Sequence, residues 1–158
     1  MKKAFLLLIM FLMIPVSVRF DNAVAAEQTF SAELHGSNEV PPVKSAASGE
    51  AIFTVIDNGN ALKYKVTVDN LDNVTAAHIH LGKADENGPV LVFLFKGPEK
   101  KGAFSGVLAE GTIKASDLFD TLKGKSVSDL IAKMKAGDTY VNVHTTQNPP
   151  GEIRGQIK

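Results

Sequence analysis

The chain has no cysteine and no tryptophan, and only two tyrosines among 158 residues. Without cysteine there is no disulfide framework, no thiolate nucleophile, no cysteine metal ligand and no iron–sulfur cluster. Excess charge is missing too: 17 basic residues face 17 acidic ones. A nucleic-acid binder carries a basic face, so that class is excluded on balance. There is no Gly-x-Ser-x-Gly elbow or comparable nucleophile setting, and paired carboxylates for glycoside chemistry cannot be singled out. Beyond the first residues no apolar run is long enough to span a bilayer.

The start of the chain is different. Lys2 and Lys3 precede an almost wholly apolar run, Ala4 to Val18, and then the small residues Ala23-Val24-Ala25-Ala26. This is the pattern of a secretory signal peptide over residues 1–26. The apolar run is about 15 residues, short of the roughly 20 that a spanning helix needs, which disfavours an uncleaved anchor. No cysteine follows the cleavage site, so a lipoprotein is not expected. Removing Lys2, Lys3, Arg19 and Asp21 leaves a net charge of roughly −2. The mature chain, residues 27–158, is expected to be one secreted or periplasmic domain with no membrane segment after cleavage.

Its patterning is mostly period two. Phe30, Ala32 and Leu34 alternate within residues 28–35, and Ala51, Phe53 and Val55 within 49–56. Asn58-Gly59 then marks a hairpin turn. Leu62, Tyr64, Val66 and Val68 alternate with polar neighbours. Asn70-Leu71-Asp72-Asn73 reads as a loop before another strand from Thr75. Val90 to Phe95 is apolar throughout, and Ala103 to Ile113 returns to strand character, broken by Gly106 and Gly111. Around Ser116-Asp117-Leu118 a short helical turn is expected. Ser126 with Asp129 opens a second helix, whose apolar residues Val127, Leu130, Ile131 and Met134 follow helical spacing up to Gly137. Strands resume at 138–145 and 152–157. Seven or eight short strands predict an all-β antiparallel sandwich or Greek-key barrel, with a short helical excursion before the last two strands.

Two of these strands carry histidine. In Ala77-His78-Ile79-His80-Leu81 the aliphatic residues would face the core, which leaves His78 and His80 together on the outer side. In Val141-Asn142-Val143-His144 the same alternation turns Asn142 and His144 outward. If the strands are neighbours, three imidazoles converge. Three neutral imidazoles with an open fourth position suit copper or zinc. The competing reading is that they hydrogen-bond to backbone and carboxylates on a polar sheet face. His35, beside Gly36, is the leftover histidine and a possible fourth ligand. Asp85-Glu86-Asn87-Gly88 lacks EF-hand spacing and reads as a turn.

Several motifs, in order, resemble those of CHRD domains, the module first named from chordin. They are Glu39-Val40-Pro41-Pro42, Ala76-Ala77-His78-Ile79-His80-Leu81-Gly82, Asn87-Gly88-Pro89-Val90, Tyr140-Val141-Asn142-Val143-His144-Thr145, and Asn148-Pro149-Pro150-Gly151-Glu152-Ile153-Arg154-Gly155-Gln156. The resemblance covers nearly all of the mature chain. It implies a β-sandwich module found in secreted proteins, and it implies no established activity. In chordin such domains sit in an extracellular antagonist of growth factors.

A second, weaker resemblance is to the copper-site strands of Cu/Zn superoxide dismutases. It implies His78, His80 and His144 as metal ligands and Arg154 as a guide for anionic substrate. Two features depart from that family. Only seven residues separate Gly82 from Val90, and no histidine lies between His80 and His144. A zinc–copper pair is therefore not expected, whereas a single ion is.

The remaining candidates have structural alternatives. Asn142 could orient an imidazole or stand solvated. Arg154, sharing a face with Glu152, could instead pair with Glu39 and hold the Pro41-Pro42 loop down. The leading expectation is a secreted, non-enzymatic module with no catalytic residue, binding copper or zinc or an extracellular protein partner. The alternative is a mono-copper dismutase-like oxidoreductase.

Overall fold

The computed structural model describes residues 27–158, so the expected signal peptide lies outside the described residues. Seven strands form: β1 (Thr29–His35), β2 (Ser48–Ile56), β3 (Ala61–Leu81), β4 (Val90–Phe95), β5 (Lys100–Ile113), β6 (Thr139–Thr145) and β7 (Ile153–Gln156). One α-helix, α1 (Val127–Lys135), precedes β6. All pairings are antiparallel, in the order β2-β1-β7-β6-β3-β4, with β5 on β3. β2 also pairs with β3, so the sheet closes into a barrel. Among the described residues no helix is long and apolar enough to cross a membrane.

β3 departs from expectation. Residues 70–73 do not end a strand. They form two irregularities inside one strand of 21 residues. Asn70 and Asn73 take left-handed backbone angles, φ 55° and 52°, which asparagine tolerates better than most residues. The register against β5 shifts at both places. The neighbouring strand satisfies both sites, since Ser105 Oγ accepts from Asn70 N at 2.9 Å and Asn73 Oδ1 accepts from Gly102 N at 2.8 Å. Leu71, between them, is fully buried and pins the bend to the core. Bulges of this kind bend and twist a strand. One half of β3 thereby pairs with β2 and β5, and the other half with β4 and β6. Nor do Gly106 and Gly111 break β5, which runs through both.

The helical excursion agrees with its sequence. Ser126 and Asp129 form a reciprocal capping box: Ser126 N donates to Asp129 Oδ2 at 2.8 Å and Asp129 N to Ser126 Oγ at 3.3 Å. Val127, Leu130, Ile131 and Met134 bury their stripe against the barrel core. Residues 115–117 and 120–122 form single 3-10 turns.

The core fixes the strands that carry histidine. Ile79, Val141 and Val143 are completely buried. Burying such a side chain is worth about 1.5–3 kcal/mol. A one-residue slip of either strand would expose all of them, so the register is strongly set. The side chains at 78, 80, 142 and 144 are thereby committed to the opposite face.

Candidate metal centre

β3 and β6 are direct neighbours, with Ala76 opposite His144, His78 opposite Asn142 and His80 opposite Tyr140. The three histidines meet as the alternation requires. One ring nitrogen from each lies within 4.8 Å of the other two. His78 Nδ1 is 3.0 Å from His144 Nε2. Around a metal bound at 2.0–2.1 Å, tetrahedral imidazole nitrogens are about 3.4 Å apart. The His78–His144 pair is already close to that spacing.

The tautomers follow from the backbone. His80 Nδ1 lies 2.9 Å from Gly88 O, and His144 Nδ1 lies 2.9 Å from Pro149 O. A carbonyl only accepts, so each Nδ1 carries the proton and each Nε2 is left with a lone pair. Backbone carbonyls orient metal-bound histidines in this way. His80 Nε2 is buried and has no partner. An unpartnered buried acceptor is costly, and a cation would satisfy it.

The rings are held by aromatic neighbours. His78 meets Phe93 edge-to-face at 4.9 Å, and His80 stacks on Tyr140 at 5.0 Å and 10°. Burial, and then the neighbouring His144 and His80, hold the His78 imidazole down at about 4. His80 is lowered chiefly by burial, which the Gly88 carbonyl opposes. His144 is lowered by burial against the opposing Pro149 carbonyl. At neutral pH all three rings are neutral. Because His144 Nε2 is an acceptor, the 3.0 Å contact makes His78 Nδ1 the donor, and that proton would have to move to His78 Nε2 for Nδ1 to bind an ion.

The face is not the open surface that alternation suggests. Every residue of β6 is buried, Asn142 and His144 included. Period two tells which side a residue faces, not what covers that side. Here the loops after β1, β3 and β6 fold over it. Asn87 Nδ2 donates to Val40 O at 2.7 Å and so ties two of these loops together. Glu152 holds the third: its carboxylate accepts from Thr145 Oγ1, Ser45 Oγ and Asn148 Nδ2 at 2.6, 2.7 and 3.1 Å.

Arg154 is 1% exposed. It donates to Lys83 O and Glu86 O at 2.7 Å and to Asn87 Oδ1 at 2.9 Å, and its guanidinium lies 3.5 Å from the centre of the Tyr140 ring. Its bonds therefore go to the 83–89 loop. Glu39, expected as its ion-pair partner, takes its hydrogen bond from Asn142 Nδ2 at 3.2 Å and feels Arg154 only as a neighbouring charge. Asn142 thus serves Glu39 rather than an imidazole. His35 stands exposed at the end of β1, outside the histidine cluster. Residues 83–89 form the expected turn, closed by Glu86 N donating to Lys83 O.

Sequence reasoning missed Tyr140 and Phe93, as well as the carbonyls of Gly88 and Pro149. Tyr140 was within reach: it stands two and four residues before Asn142 and His144 and so shares their face.

A model of the CHRD domain matches residues 30–157. The chain belongs to the CHRD domain family. It is 32% identical to chordin of Xenopus laevis over 132 residues and 30% identical to chordin of Danio rerio over 125 residues, which is 78% and 74% of this chain. It spans about 12% of the length of either chordin. No solved structure matches. The five motifs that carry the CHRD resemblance are the segments that meet over the histidine face. The CHRD arrangement here supplies three convergent imidazoles, two of them with tautomers fixed by backbone carbonyls, and a covered pocket.

Proposed function

We propose that this CHRD chain is an exported, non-enzymatic module that holds one copper or zinc ion on His78, His80 and His144. The observation that carries this reading is the buried, unpartnered Nε2 of His80 beside two further imidazole nitrogens within 4.8 Å. The depressed basicity of the three rings supports it, because neutral imidazoles can take up an ion at neutral pH without net proton release. The signal-like first 26 residues support export, and the likeness to chordin supports an extracellular protein partner. No distinct observation favours the dismutase-like alternative. It calls for an anion-guiding arginine, and the Arg154 guanidinium is occupied by loop acceptors and stacked on Tyr140.

The test is metal content by elemental analysis of residues 27–158 after loading with copper or zinc and dialysis. A His78→Ala/His80→Ala/His144→Ala variant runs beside it. About one ion per chain, lost in the variant, is expected. Equal background in both would overturn the metal site and leave a module that recognises only protein. Copper-loaded protein is expected to dismutate superoxide no faster than the His78→Ala variant.

A further inference from the structure

A second polar feature lies on the same face, outside the histidine cluster. Glu39 is 6% exposed and Asn142 3%. Their side chains form one hydrogen bond, from Asn142 Nδ2 to Glu39 Oε2. The other two oxygens, Glu39 Oε1 and Asn142 Oδ1, are both buried and without partners. Both lie against the position that a β-carbon on Gly151 would occupy, so they are close to each other. Two acceptors in that arrangement repel unless a proton sits between them. A carboxylic acid facing a carboxamide closes a two-bond ring, in which N–H donates to one carboxyl oxygen and O–H donates to the amide oxygen. A single proton on Glu39 would satisfy both orphaned atoms.

We propose that Glu39 is a proton-binding latch: its protonated carboxyl donates from Oε1 to Asn142 Oδ1 and holds the 36–47 loop closed over the histidine face, and loss of that proton releases the loop. Burial supports this, since it pushes the Glu39 carboxyl up to about 7 against the opposing pull of Arg154 and the Asn142 hydrogen bond. Three other side-chain ties hold the loop to this face. Asn38 Nδ2 donates to Arg154 O at 3.0 Å, Val40 O accepts from Asn87, and Ser45, near the far end of the loop, donates from Oγ to Glu152 Oε1 at 2.7 Å. Beneath it lies a cavity of about 350 Å³ whose lining includes Glu39, Pro41, His80 and Asn142. Opening the latch therefore exposes the His80 side of the pocket.

Other charged groups surround Glu39. Arg154 of β7 faces it, and His80 of β3 and Tyr140 of β6 share its cavity. Glu33 and His35 of β1, Asp85 of the 83–89 loop, and Lys158 share the open cleft on its other side. All of them remain in a Glu39→Gln variant, so the difference between the two proteins isolates Glu39.

Glutamine has the shape of the protonated acid and can close the same ring. Metal-free mature protein and its Glu39→Gln variant would be compared between pH 5 and 8.5. Three readouts apply: the unfolding midpoint, hydrogen exchange of the 36–47 amides, and the infrared carboxylic-acid carbonyl band at pH 6. The expected result is that the variant folds and matches the wild type at pH 5. By pH 8.5 the wild type falls below it in midpoint, and its loop exchanges faster. The carboxylic-acid band is present in the wild type and absent from the variant. A variant that fails to fold, is less stable throughout, or runs parallel to the wild type at every pH would overturn the latch. The protein is free of metal throughout, so the outcome does not depend on whether the histidines bind an ion.

Discussion

Arg154→Ala is the sharpest test of what that residue does. An anion guide is a surface device, and its removal would leave the fold alone. The structure makes a different demand. The guanidinium is 1% exposed and donates to three acceptors of the 83–89 loop while covering the Tyr140 ring. Hydrogen bonds to a charged group are worth about 1.5–3 kcal/mol each, and the ring contact about 1 kcal/mol. The simple sum overshoots, because a released loop regains water. Taking roughly half, Arg154→Ala is expected to cost about 4 kcal/mol, a large share of a domain's 5–15 kcal/mol. With a urea slope of about 2 kcal/mol per molar, the midpoint falls by about 2 M. Arg154→Lys keeps the charge without the planar fork and is expected to recover less than half of the loss. Because the loop supplies Gly88 O to His80 and the stacked Tyr140 supports the same ring, hydrogen exchange at 83–89 rises as well. A midpoint within about 0.3 M of wild type would refute this account of Arg154.

The histidines give a pH dependence of definite sign. The folded state keeps His78 neutral down to about 4, whereas the unfolded chain takes up the proton near 6.5. At this site the unfolded state then binds more protons between those values, so the His78 contribution to stability rises with pH through that window and is lost as acid is added, opposite in sign to that of Glu39. His78→Phe should flatten the slope by less than the one-proton limit of about 1.4 kcal/mol per pH unit, since the ring is partly solvated; urea midpoints at pH 4.5 and 7 measure it, and an unchanged slope would contradict the assignment. Gly151→Ala should cost at least about 2 kcal/mol by chemical unfolding, because φ is 145° and the added carbon meets Asn142 and Glu39. Ser126→Ala should cost about 1 kcal/mol by losing the α1 cap, leaving the metal stoichiometry unchanged.

What was legible in the sequence is what periodicity encodes. Ile79, Val141 and Val143 announce a buried face, and their histidine neighbours follow by alternation. Ser126 and Asp129 announce the helix by capping chemistry that is entirely local. The continuity of β3 was hidden because Asn70 and Asn73 carry the same signal whether they end a strand or bulge it. Ser105 and Gly102 of β5, 35 and 29 residues further along the chain, decide between the two. The cover over the histidines was hidden for the same reason. It depends on which loops meet, as when Asn87 reaches Val40 across 47 residues. Arg154 was recognisable as a member of this face, but its hydrogen-bonding partners were not, because two of the three are backbone carbonyls.

The CHRD motifs acquire a physical meaning from these contacts. A family signature could mark core positions alone, yet the polar side chains of these five segments bond to one another. Asn87 of the third motif reaches Val40 of the first. His80 of the second is oriented by Gly88 of the third, and His144 of the fourth by Pro149 of the fifth. Asn142 of the fourth meets Glu39 of the first. Arg154 of the fifth returns to Asn87 of the third. A barrel of this topology could be built with an apolar or open outer face. Burying glutamate, asparagine, arginine and His144 there, beside the half-buried His78 and His80, is expensive unless nearly every polar atom is matched. A matched polar face takes more sequence to specify than an apolar one, so it is worth keeping only where it does something an apolar face cannot. The few unmatched atoms on this face are the places to look for that chemistry. A cation would match the nitrogen of His80, and a proton would match the two oxygens of Glu39 and Asn142.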